Sequence, residues 1–104
     1  MAGRKIVWTE SAQKERMDIL IYWFEKTKSK RYSKKLNNLI KDTLKLTADF
    51  PQAGRKTNSG NARIKVVRDY LIFYDFTPKE IIVLSIWDAN RNDNNSIHPY
   101  SNLK

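Results

Sequence analysis

Cysteine is absent from this 104-residue chain, and histidine occurs once. A disulfide framework, a thiolate metal site and a cysteine nucleophile are thereby excluded, and one histidine excludes a conventional multi-histidine zinc site. No cofactor and no metal are expected. Glycine and proline number three each, and no repeat, low-complexity tract or linker interrupts the chain. No apolar run approaches the ~20 residues a membrane helix needs. The opening residues, MetAlaGlyArgLysIleValTrp, also lack the apolar stretch of a secretory leader. The expectation is a cytoplasmic protein with no membrane association.

Negative charge is scarce as well. Eleven Asp and Glu stand against 20 Lys and Arg, a net charge of +9. This is the electrostatic footprint of a protein that meets nucleic acid or an acidic partner, with basic solubility as the plainer alternative. A chain of this length makes one domain and buries roughly 60 to 70 per cent of its unfolded surface. Hydrophobic residues at 40% and aromatics at 12% supply one modest core beneath a heavily charged shell.

Residues 5–9 alternate Ile6 and Trp8 with Lys5 and Val7, which reads as a strand. Thr9 and Ser11 then offer helix caps, and Glu10 suits the positive end of a helix dipole. That helix runs to about Thr27, with Ala12, Arg16, Ile19, Leu20, Trp23 and Phe24 spaced by three and four, and Met17, Ile21 and Tyr22 widening the stripe. Trp8, Trp23 and Phe24 read as core, and Trp87 as partly exposed. Between positions 26 and 35 six of ten residues are basic. The segment reads as a turn, with Ser29 or Ser33 opening a second helix. Tyr32, Leu36, Leu39, Ile40, Thr43, Leu44 and Thr47 form that helix's inner face. It ends before Phe50 and Pro51, because proline disfavours helical geometry in the residue ahead of it.

Residues 51–61 are turn-rich and polar, an exposed connection carrying Arg55 and Lys56. Strands follow over 64–67, 70–76 and 81–87, joined by ArgAsp and ThrProLysGlu, and form an antiparallel meander. The order β-α-α-β-β-β predicts an α+β fold in which a helical hairpin packs on one face of a small antiparallel meander sheet. Residues 1–92 make the domain; 93–104, rich in Asn and Ser, make a polar, flexible tail.

These elements resemble the RelE/ParE superfamily of type II toxin-antitoxin toxins over about residues 5–92. The resemblance rests on TrpThrGluSerAla after the leading strand, two helices, the PheProGlnAlaGly turn, an arginine seven residues before TyrLeuIlePheTyr, and an arginine three residues past the last strand. It implies a plasmid-stabilisation type of toxin that arrests growth when freed from an acidic cognate antitoxin. RelE-like members cut mRNA on the ribosome and ParE-like members poison DNA gyrase. The strand pattern here looks closer to the ParE branch. A degenerate toxin fold kept as a binding module is the alternative from another class, and the sequence leaves a homodimer open.

Metal-free RNA cleavage needs a proton acceptor, a donor and fixed cations for the phosphorane charge. The resemblance points to Arg63 and Arg91 as those cations. Lys65 shares a strand face with Arg63 by its i, i+2 spacing. Against this stand a solvated strand face for Arg63 and Lys65, an ion pair between Arg91 and Asp88, and a surface pair between Arg68 and Asp69. Asp88 occupies a position where many family members carry histidine; a carboxylate there accepts a proton but repels phosphate. His98 and Tyr100 in the tail are further acid-base candidates. Lys26, Lys28, Lys30, Arg31, Lys34 and Lys35, with Arg55 and Lys56, form a candidate patch for a nucleic-acid backbone, or else a solvated surface.

Overall fold

The computed structural model describes residues 4–58 and 60–89. Thr9 converts strand into helix. It follows β1 (Lys5–Trp8) with an extended backbone, and its Oγ1 accepts from the Ala12 N–H at 3.1 Å, capping α1 (Glu10–Thr27). Lys28 ends α1 in the left-handed region at φ 57°, its N–H bonded to the Phe24 carbonyl at 2.8 Å. Ser29 immediately caps α2 (Lys30–Asp49) by accepting from the Arg31 N–H at 3.1 Å. Ser33 is not the cap, because its hydroxyl donates to the Leu20 carbonyl at 2.7 Å and ties the helices together.

The basic run from 26 to 35 is therefore not a turn, as the sequence suggested. Lys26 lies in the last turn of α1, Lys28 and Ser29 alone connect the helices, and Lys30 onward is helical.

A single 3-10 turn (Pro51–Ala53) leads to β2 (Arg55–Lys56), and three longer strands follow: β3 (Arg63–Val67), β4 (Tyr70–Phe76) and β5 (Glu80–Asp88). The meander β3-β4-β5 forms as predicted, but the sheet has five strands in the order β1-β5-β4-β3-β2. β1 runs parallel to β5, with Lys5 opposite Glu80 and Trp8 opposite Val83. The sheet is thus mixed, since the helical hairpin supplies the long crossover a parallel pair requires.

β2 is the second addition. Thr57 closes its hairpin by donating from Oγ1 to the Ala62 carbonyl at 3.0 Å. The 51–61 segment is therefore only partly the exposed connection expected: Pro51, Gly54 and Thr57 are buried.

β1 stops at Trp8, so the outer edge of β5 would be left unpaired beyond Val83. The cap residue Thr9 and Glu15 of α1 complete it. Thr9 Oγ1 donates to the Leu84 carbonyl at 3.2 Å, while the Glu15 carboxylate accepts from the Ile86 N–H at 3.0 Å and from Ser85 Oγ at 2.8 Å. A bulge precedes this region: Phe73 faces Ser85 but Tyr74 faces Val83, leaving Leu84 as the extra residue.

The core lies between the helices and one sheet face. Leu36, Ile40, Leu44 and Ala48 of α2 meet Val67, Tyr70, Ile72, Tyr74, Ile81, Val83 and Ile86. Each fully buried Leu or Ile contributes about 1.5–3 kcal/mol relative to exposure. α1 gives less, burying only Ala12 completely while Ile19, Leu20, Trp23 and neighbouring Trp8 pack partly. Phe24 departs from the core assignment: it is 43% exposed, beside exposed Met17 and Ile21. Arg4 secures the far end of α2, donating from Nη1 to the Ala48 carbonyl at 3.1 Å.

Candidate functional site

Arg63 opens β3 opposite Tyr74 of β4, and both reach the Pro51–Ala53 turn. The Arg63 Nη1 donates to the carbonyls of Gln52 at 3.1 Å and Gly54 at 2.9 Å. Tyr74 donates its hydroxyl to the Pro51 carbonyl at 2.7 Å and accepts from the Gly54 N–H at 3.1 Å. Burial raises the Tyr74 pKa above its usual value, opposed by the Gly54 hydrogen bond and nearby Arg63. The guanidinium thus fixes a turn with one nitrogen. Beside it a cleft of about 290 Å³ is lined by Lys56, Arg63, Asp75 and Phe76 together with residues 60–62. Two cations face one carboxylate there, a mixed field suited to a polar protein surface.

Lys65 shares the helix-bearing face with Arg63, opposite Ile72, and is half-buried. Asp88 lies elsewhere. It ends β5 opposite Tyr70, which itself faces Val67 at the other end of β3. Four residues along β3 and two strand spacings separate the Arg63 and Asp88 positions by roughly 16 Å. Arg68 belongs to the Asp88 end, in the exposed β3–β4 turn at φ 57°. The candidates fall into two groups at opposite ends of the sheet. Arg91, His98 and Tyr100 lie outside the described residues, as does the 93–104 segment.

At the Asp88 end, Tyr70 accepts a 2.7 Å hydrogen bond from the Trp23 indole, and Trp23 stacks edge-on with Tyr32 at 4.8 Å. The Tyr70 pKa is raised chiefly by burial, lowered by the Trp23 bond, and raised again by Asp88 and the neighbouring tyrosines. Asp18, Ile19, Tyr22, Tyr70 and Asp88 line a groove of about 440 Å³.

The basic patch also divides. Lys26 sits 5.7 Å from the Tyr22 ring centroid on α1, Arg55 and Lys56 occupy the exposed edge strand β2, and Lys30, Arg31, Lys34 and Lys35 lie exposed on α2. Lys41 and Lys45 continue the α2 group and were missed by the sequence reading, although helical phase from Lys30 and Lys34 predicts them. Arg16, read as part of an apolar face, lies 4.4 Å over the Trp8 ring and bonds Gln13 and Asn37. Desolvation lowers its pKa.

Among the described residues no three His, Cys, Asp or Glu side chains gather as metal ligands. Among the described residues no helix is long and apolar enough to cross a membrane.

A helical hairpin on a meander flanked by a parallel leading strand defines the RelE/ParE-like class of fold. A chain from the structure of the chromosomal ParDE TA system from P. aeruginosa has the same architecture, with a TM-score of 0.72 and 18% identity over 84% of this chain and 97% of that one. The model of the ParE toxin of the type II toxin-antitoxin system parDE matches residues 6–93, and the chain belongs to that family. No curated protein matches it significantly. Membership implies a cognate ParD antitoxin as partner.

Proposed function

We propose that this ParE-family toxin arrests growth in the cytoplasm by poisoning DNA gyrase, without acting as a nuclease. The family match over residues 6–93, to ParE toxins in particular, carries the reading. The geometry supports it: Arg63 holds backbone carbonyls, and Asp88, a candidate proton acceptor, belongs to the opposite end of the sheet. Cations and an acid-base pair positioned for phosphoryl transfer are not assembled among the described residues. Arg63, Lys56 and Arg55 then serve as contacts to the target protein.

The antitoxin is an acidic segment drawn to the +9 surface by electrostatic steering. Its apolar anchors cover Met17, Ile21 and Phe24, which form an exposed i, i+4, i+7 stripe along α1.

Purified toxin added to gyrase and plasmid DNA, beside a cell-free translation reaction, tests the target. Trapped DNA breaks with intact message are expected. Ribosome-dependent cleavage of the message would replace gyrase by the RNA reading, and induced expression without growth arrest would leave the degenerate binding module.

A further inference from the structure

Between positions 30 and 45 the exposed side chains of α2 are six cations, one asparagine and one aspartate. The cations are Lys30, Arg31, Lys34, Lys35, Lys41 and Lys45. At about 100° per residue, Lys30, Lys34, Lys41 and Lys45 fall within about 60° of one another and form a row about 22 Å long. None of the six side chains enters a hydrogen bond or ion pair among the described residues. The neighbouring helix is different: α1 carries Lys14, Arg16 and Lys26 against Glu10, Glu15, Asp18 and Glu25. Charge is segregated onto one helix of the hairpin.

A face kept only for solubility does not explain this placement. Four of the six cations occupy the first six residues of α2, at the positive end of its dipole, and the first turn holds no acidic residue. Mixed charges would hydrate the helix equally well with less self-repulsion. The arrangement concentrates positive potential at a cost in helix stability.

The chemistry of the face selects its partner. Protein interfaces are anchored by buried apolar and aromatic side chains, and the one exposed large apolar side chain of α2, Leu46, lies about 100° or more around the helix from the lysine row. Single-stranded nucleic acid is held largely by bases stacked on aromatics. The one aromatic of α2, Tyr32, is instead half-buried against Trp23 and the core. A row of lysines without stacking or base-reading groups fits the regularly spaced phosphates of a duplex backbone.

We infer that the outer face of α2 binds the phosphate backbone of duplex DNA without sequence readout, so that the toxin holds DNA directly. The choice of DNA over duplex RNA rests on the gyrase reading. The contact itself does not involve gyrase.

The test is fluorescence anisotropy of the purified full chain with a labelled DNA duplex across a salt series. Four phosphate contacts give a log-log slope of about −3.6, or roughly a 10²-fold loss of affinity as salt rises fourfold. The double variant Lys34→Gln, Lys41→Gln should lose about half that slope, while Lys14→Gln on α1 keeps the parent value. These side chains are exposed, and circular dichroism verifies the fold. Unchanged affinity and slope in the double variant would overturn the inference. So would tighter binding to duplex RNA, or to a single strand with as many phosphates. Because gyrase is absent from the assay, failure here leaves gyrase poisoning to be judged by its own experiment.

Discussion

Arg63 and Tyr74 stand directly opposite each other on β3 and β4, and both bind the turn between α2 and β2. Between them they hold the carbonyls of Pro51, Gln52 and Gly54 and the Gly54 N–H. A candidate target-binding arginine is therefore also a structural pin. Its contribution to function must be separated from its contribution to stability.

Arg63→Lys separates them. Lysine keeps the charge but not the rigid, planar guanidinium that aims Nη1 at the carbonyls of both Gln52 and Gly54. Loss of about 1–3 kcal/mol in denaturant unfolding is expected, because charged hydrogen bonds to the turn disappear. If Arg63 also contacts the target, growth arrest at equal folded protein should fall at least tenfold. Arrest that follows only the amount of folded protein would confine Arg63 to the turn.

Tyr74→Phe removes one oxygen and strands two backbone groups. The Gly54 N–H and Pro51 carbonyl each lose a buried partner, so destabilisation of about 1–3 kcal/mol is expected in chemical denaturation. Gly54→Ala should be worse, since an added Cβ would lie 2.2 Å from the Tyr74 hydroxyl oxygen. Pairing it with Tyr74→Phe should recover part of the loss.

Alkaline pH should loosen the core. Tyr70 and Tyr74 both have folded-state pKa values raised above the unfolded value, mainly by burial. The unfolded chain releases these protons first. The linked stability is therefore fully present below about pH 10 and declines as pH rises through the elevated folded pKa values. Unfolding free energies measured at pH 9 to 11 should fall less steeply in Tyr70→Phe than in the parent.

Lys30→Glu should raise stability and weaken DNA binding together. Reversing a charge in the first turn of α2 places a carboxylate at the positive dipole end, worth about 0.3–1 kcal/mol. Thermal melts and anisotropy on one preparation would show the opposed effects. A melt that drops would contradict the dipole argument.

Lys28 and Arg68 both adopt φ 57°, where glycine is favoured. Lys28→Gly and Arg68→Gly should each stabilise the protein by about 0.5–1 kcal/mol in unfolding experiments. Lys28→Gly leaves the α2 row intact, so its DNA affinity should change little.

Much of this architecture is local and therefore legible in the chain. Thr9 announces α1, the phase of Leu36, Ile40 and Leu44 sets the buried face of α2, and the apolar runs joined by ArgAsp and ThrProLysGlu define the meander. The choice between Ser29 and Ser33 as cap is not local, because it turns on whether the Ser33 hydroxyl finds the Leu20 carbonyl on the other helix. β2 was hidden for a similar reason: two polar residues become a strand only beside β3.

By itself the sequence determined both helices, the strands β1, β3, β4 and β5, their order and the sign of the surface charge, since each follows from neighbours within a few positions. Tertiary structure alone decided that β1 pairs with β5 across more than 70 positions, a contact encoded in no local pattern. It also decided that Arg63 and Asp88 occupy opposite ends of the sheet, because strand register converts closeness in a motif into distance in space. Finally, it buried the Leu36, Ile40 and Leu44 face of α2 and so left the row of Lys30, Lys34, Lys41 and Lys45, which helical phase already lines up, facing solvent.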